Sequence, residues 1–146
     1  MEGLKIKQEE AVKIKLKTIT MIDGQKEEFS FTEAGRLVTL NEHQHYLTYI
    51  EHQAGQSIPV RIRLDEGQLM VTRDGARRTR LHFDPQQSTQ TRYKTEYGVI
   101  NLEVLTDRLL SLIDLDQASG TLQVDYRLKN GAMVLGKYHL DLNFRR

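Results

Sequence analysis

Apolar side chains recur at every second position over much of the chain, the spacing that sets them all on one face of a pleated strand. Val12, Ile14 and Leu16 alternate with Lys13, Lys15 and Lys17, and Val60, Ile62 and Leu64 alternate with Arg61, Arg63 and Asp65. Leu122, Val124, Tyr126 and Leu128 interleave with Gln123, Asp125 and Arg127, and Tyr138, Leu140, Leu142 and Phe144 with His139, Asp141 and Asn143. Between such runs stand Asp23-Gly24, Glu66-Gly67, Asp74-Gly75, Tyr97-Gly98, Ser119-Gly120 and Asn130-Gly131. These residue types accept the positive φ of tight hairpin turns, so they mark reversals of the chain. The pattern predicts strands near 12–22, 27–40, 45–52, 58–65, 68–73, 76–83, 90–96, 98–106, 121–129 and 132–144. The segment 102–115 fits two periods: Leu102, Leu105, Leu109, Leu112 and Ile113 suit a helical face, while Ile100, Leu102 and Val104 alternate as in a strand. A strand followed by an irregular turn is the reading adopted there.

Short strands joined by hairpins must hide an apolar face and dispose of unpaired edges, and closure of the sheet does both. A two-sheet sandwich needs long crossover connections, whereas the gaps between predicted strands are no longer than about 84–89, the irregular turn after 106 apart. The expected architecture is all-β, a single antiparallel closed barrel of about eight to ten strands forming one domain over 1–146. Its inward positions include Val12, Ile14, Tyr46, Val60, Ile62, Leu81, Phe83, Tyr93, Leu122, Val124, Tyr126, Tyr138 and Leu140. Residues of that bulk either fill the lumen or line a small apolar pocket.

Composition narrows the setting. The chain has 146 residues and no cysteine, which removes disulfides, thiolate metal sites and a cysteine nucleophile and suits a reducing, cytoplasmic compartment. The first ten residues mix charges too densely for a signal sequence, and no apolar run approaches the ~20 residues of a helical membrane span. Net charge is only +1, yet Pro59 to Lys94 carries eight Arg/Lys against four Asp/Glu.

Phe29-Ser30-Phe31 with Gly35, the run Tyr46-Leu47-Thr48-Tyr49-Ile50-Glu51, Glu66-Gly67 with Val71, Arg73 and Gly75, and Phe83 share a pattern. It continues through Thr91-Arg92-Tyr93-Lys94-Thr95-Glu96-Tyr97-Gly98 and the alternating Leu102, Val104 and Thr106. Over nearly the whole chain this resembles the YwiB-like, uncharacterised β-barrel proteins of Gram-positive bacteria, similar in fold to the calycins, the class that includes lipocalins. The resemblance implies a fold and carries over no catalytic residue. The chain has no tryptophan, so it lacks the Gly-X-Trp signature of true lipocalins, and its last strand has no Arg-X-Tyr clamp like that of fatty-acid-binding proteins.

Three sets of residues bear on function. In the first reading the barrel is a non-enzymatic binding protein for a small, partly apolar, possibly anionic ligand, with Tyr93, Tyr126 and Tyr138 lining the lumen and Arg92 or Arg127 at its rim. In the second, Arg61, Arg63, Arg78, Arg80 and Arg92, supported by Arg73, Arg77 and Lys94, form a face that binds an anionic partner such as RNA or an acidic protein. Alternation also demands polar residues outside, so the same arginines suit a plain solvated face. In the third, His43, His45 and His52 hold a metal for catalysis, although Asn41-Glu42-His43-Gln44-His45 reads equally as a hairpin tip. No nucleophile elbow, glycine-rich phosphate loop or poised carboxylate pair occurs, so neither an enzyme, a metal nor a cofactor is expected. Lys5, Lys7, Lys13, Lys15 and Lys17 read as protection of an edge strand, and no lipidation motif or amphipathic helix points to a membrane.

Overall fold

The computed structural model describes residues 8–41 and 44–146. Lys5, Lys7 and His43 of the sequence reading lie outside the described residues. Ten strands follow one another: β1 (Gln8–Ile22), β2 (Gln25–Asn41), β3 (Gln44–Gln53), β4 (Gln56–Asp65), β5 (Gln68–Asp74), β6 (Arg78–Phe83), β7 (Thr89–Thr95), β8 (Gly98–Asp114), β9 (Ser119–Asn130) and β10 (Met133–Arg145). Every pairing is antiparallel, in the order β6-β5-β4-β3-β2-β1-β10-β9-β8-β7. Each strand therefore lies beside its neighbour in sequence, and the first and last strands pair. No ladder joins β6 to β7. Side chains bridge that seam instead: Thr89 Oγ1 donates to the His82 carbonyl, Thr91 Oγ1 to the Arg80 carbonyl and Arg77 Nη1 to the Lys94 carbonyl, each at 2.6 Å. The result is a nearly closed barrel.

Two-residue hairpin loops account for the tight reversals. Asp23 and Gly24 both have positive φ, as do Ala54 and Gly55, which is the geometry whose twist matches the flanking strands. The second pair escapes a sequence reading because alanine is not a turn former. Ser119-Gly120, in contrast, is not a turn at all. Gly120 lies within β9, where a Cβ would meet the Phe144 ring at 2.6 Å and the Leu112 carbonyl at 2.9 Å. That glycine serves close approach.

The largest departure from expectation is β8, which continues to Asp114 instead of turning near 106. Leu102, Val104 and Thr106 face inward, and the register against β9 then shifts between Thr106 and Arg108. Beyond the shift Leu109, Ser111 and Ile113 oppose Val124, Leu122 and Gly120, so the inward set passes from even to odd numbers. Asp107 is the extra residue of a β-bulge. A strand whose parity changes midway shows apolar spacings of three and four, which is why the segment imitates a helix.

Two further assignments change. Strand β1 pairs with both β2 and β10, so Lys13, Lys15 and Lys17 lie on an outer face rather than guarding an edge. Tyr46 points outward, with the Arg61 guanidinium 5.7 Å from its ring centroid, while Leu47, Tyr49 and Glu51 are the buried residues of β3. The other inward positions hold except Tyr93, which shares the parity of buried Thr91 but is 44% exposed. Ile14, Leu47, Ile62, Phe83, Leu122 and Leu142 are at most 1% exposed and fill one half of the barrel. The register carries the other half through Thr18, Val60, Val71, Leu81, Tyr126 and Leu140, where packing is incomplete. No helix among the described residues is long and apolar enough to cross a membrane.

Candidate functional site

The incompletely packed half holds a cavity of about 300 Å³ that is partly open to solvent. Leu16, Val60, Val71, Leu81, Phe83 and Leu140 supply its apolar wall, and Glu27, Tyr49, Glu51, Gln53, Arg73 and Tyr126 its polar groups. Polar residues reach the interior by parity. On β3 the inward row Leu47, Tyr49, Glu51 ends in a carboxylate, and on β5 the inward row Leu69, Val71, Arg73 ends in a guanidinium. Arg73 Nη2 donates to Glu51 Oε2 over the inner face of β4, the strand between them. The Glu51 side chain is 5% exposed and that of Arg73 39%. A carboxylate so far from water requires such a partner, while the guanidinium keeps donors turned toward solvent and the cavity.

Aromatic rings surround the pair. Tyr126 stacks on Tyr138, directly opposite it in the β9–β10 register, with centroids 4.9 Å apart, and also meets Phe83 at 4.6 Å. Burial pushes the Tyr49 phenol well above its ordinary range, and the Glu51 charge adds to this while Arg73 opposes it. The Tyr126 phenol is raised likewise, by burial first and then by Tyr138 and Tyr93, again against Arg73. Tyr138 shifts in the same direction through burial and Tyr93. These hydroxyls stay protonated as hydrogen-bond donors at any physiological pH. Among the described residues none of Tyr49, Tyr126 and Tyr138 spends its hydroxyl on a protein hydrogen bond. Thr106, directly opposite Tyr126 on β8, has a buried hydroxyl without a partner.

The structure sorts the sequence candidates. Of the three expected tyrosines Tyr126 lines the cavity with Tyr138 stacked on it, while Tyr93 is exposed and lies outside the lining. Arg127 is not at the rim: it faces outward and forms a two-pronged ion pair with Asp107, the bulge residue, at 2.9–3.2 Å. Arg92 also faces outward, opposite Asn101. The arginine of the lumen is Arg73, which alternation marks as inward together with Val71. Glu51 was obscured by the same logic in reverse, since Tyr46, Thr48 and Ile50 make a more apolar row than Leu47, Tyr49 and Glu51. A charged residue on the apolar parity of two strands was the available signal.

Of the proposed outer face, Arg78, Arg80 and Arg92 line one cleft of about 840 Å³ over the seam. Arg61 and Arg63 lie on β4 two strands away, Arg63 held by Asp65 at 2.8 Å. The histidines do not converge. His45 and His52 are seven residues apart on one strand, a separation of roughly 23 Å. His45 Nδ1 is 3.2 Å from Thr39 Oγ1 and His52 Nδ1 is 3.1 Å from Glu33, so no shared metal site forms from this pair.

The chain is 27% identical over 126 residues to the "Uncharacterized beta-barrel protein YwiB" of Bacillus subtilis, an alignment spanning 86% of this chain and 87% of that protein. The crystal structure of the Bacillus subtilis ywiB protein matches the fold with a TM-score of 0.81 at 23% identity, covering 96% of this chain and 94% of the other. The profile of the domain of unknown function DUF1934 matches residues 14–142, and the chain belongs to that family.

Proposed function

We propose that the barrel is a non-enzymatic binding protein that takes one small, partly apolar molecule into its lumen. The carrying observation is a partly open cavity of about 300 Å³ whose apolar wall ends in the Glu51–Arg73 ion pair and unengaged tyrosine hydroxyls. A filled core has no use for Arg73 and Glu51. Taking the Glu51 carboxylate out of water costs several kcal/mol, and apolar residues of similar volume serve packing at least as well. The volume is at the low end for ligand pockets and equals the share of about ten waters. Glu27 and Glu51 outnumber Arg73 among the lining residues, so an excess of negative charge surrounds the cavity. An uncharged or amine-bearing head group therefore suits it better than an anionic one, with the tyrosines donating and Glu51 accepting.

Native mass spectrometry of protein purified from its own cells tests this. The wild type is expected to retain a discrete small mass, and Leu81→Trp, which places an indole in the cavity, to lose it while remaining folded by circular dichroism. Retention by Leu81→Trp equal to the wild type, or a wild type that carries nothing and binds no member of a metabolite extract, overturns the reading.

A further inference from the structure

On the outer face, the register sets residues in one line across five strands. Arg36 pairs with Thr48, Thr48 with Arg61, Arg61 with Thr72, and Thr72 with Arg80. Arginine thus stands on β2, β4 and β6 with a threonine on each strand between. Successive arginines are two strand spacings apart, about 10 Å. Past β6 the line meets the seam cleft, whose lining includes Arg78, Arg80, Arg92, Gln90 and Asn101 and no aspartate or glutamate.

The cations along this line are not equally engaged. Arg36 is held by Glu9 at 2.9 Å and Arg78 by Asp74 at 3.2 Å. Arg61 lies over the Tyr46 ring, and Arg80 and Arg92 form no ion pair among the described residues. The seam adds main-chain donors. Arg80 and His82 present their carbonyls to β7, and in an antiparallel strand the N–H of such a residue points the same way.

We infer that this line, centred on Arg61, Arg80 and Arg92, is a binding surface for the phosphate backbone of single-stranded RNA. Cations set along a path fit a chain of phosphates better than one anion. The path follows the barrel's circumference, which a flexible single strand follows and a stiff duplex does not. Guanidinium planes also offer stacking to unpaired bases. An acidic protein is the weaker fit because stable protein interfaces rely on apolar or aromatic anchors. One large exposed apolar residue, Ile50 on β3, shares a groove with Arg36 and Arg61, and none lies on β4, β5 or β6.

Fluorescence anisotropy with a labelled oligouridylate of about twelve nucleotides decides this. Neutralising three phosphates of a single strand gives a slope of log K on log salt near −2, so wild-type affinity should fall about 20-fold between 50 and 200 mM salt. Arg61→Gln/Arg80→Gln/Arg92→Gln should abolish that slope and weaken binding at low salt at least tenfold, with its melting temperature showing that it folds. Lys13→Gln/Lys15→Gln/Lys17→Gln, which removes as much charge from another outer face, should leave binding intact. No binding by the wild type, equal loss in the lysine variant, or equally tight binding of polyglutamate overturns the proposal. The lumen reading is unaffected by any of these results.

Discussion

The lumen ion pair is asymmetric, and the asymmetry has consequences for each partner. Glu51 is almost without solvent, whereas more than a third of the Arg73 side chain remains exposed. Arg73→Met leaves a carboxylate in apolar surroundings with no counter-charge, a situation that typically costs 3–5 kcal/mol. Glu51→Gln leaves a guanidinium that turns to water, so its cost is expected to be less than half as large. The double variant Glu51→Leu/Arg73→Met removes both charges and should recover much of the stability lost in Arg73→Met alone. Urea midpoints of the four proteins measure this. Equal losses in the two single variants would mean that Glu51 is better hydrated than its burial indicates. Stability recovered in the double variant together with loss of the retained small molecule would place the pair's purpose in binding.

At the scale of the strand, the bulge in β8 decides which residues meet the core. Asp107 is the inserted residue, and its side chain contributes only an exposed pair with Arg127. Asp107→Ala should therefore cost no more than about 1 kcal/mol. Deleting Asp107 leaves Thr106 opposite Tyr126 and Arg108 opposite Asp125, so it straightens the strand while Leu109, Ser111 and Ile113 stay inward. Thermal melting should show Asp107→Ala near the wild type and the deletion still folded, whereas an unfolded deletion would mean that the bend of the bulge is itself needed for closure. The same element shows how far the sequence is legible. All ten strands follow from period-two alternation, because a barrel wall has one dry and one wet face. The continuation of β8 was hidden because a bulge erases that period locally, and the Ala54-Gly55 turn because its strain is carried by an alanine. At the site, the stacked tyrosines were legible as inward aromatics. Glu51 and Arg73 were not, since a charged residue on the dry face defeats the rule that finds the others, and their pairing over β4 depends on the register of three strands.

Closure itself is incomplete, and the molecule is weakest where β6 meets β7. Elsewhere each strand is held by a ladder, but here two threonine hydroxyls and one guanidinium substitute for it. Such a seam opens at lower free energy than the rest of the wall, because few bonds must break and the pieces that part remain ladder-bound on their other sides. Hydrogen exchange should register this residue by residue. The amides of Arg80 and His82 face β7 and should exchange quickly, while those of Thr79 and Leu81 face β5 and should be protected. Thr89→Val/Thr91→Val removes both hydroxyl clasps, each worth about 1 kcal/mol. It should accelerate exchange across β6 and β7 and leave the β1–β10 ladder unchanged. Uniform acceleration throughout the barrel would instead mean that the seam opens only with global unfolding. Since Leu81 and Phe83 line the cavity from β6, an opening confined to the seam also exposes the lumen, and a molecule bound inside should slow exchange there more than anywhere else.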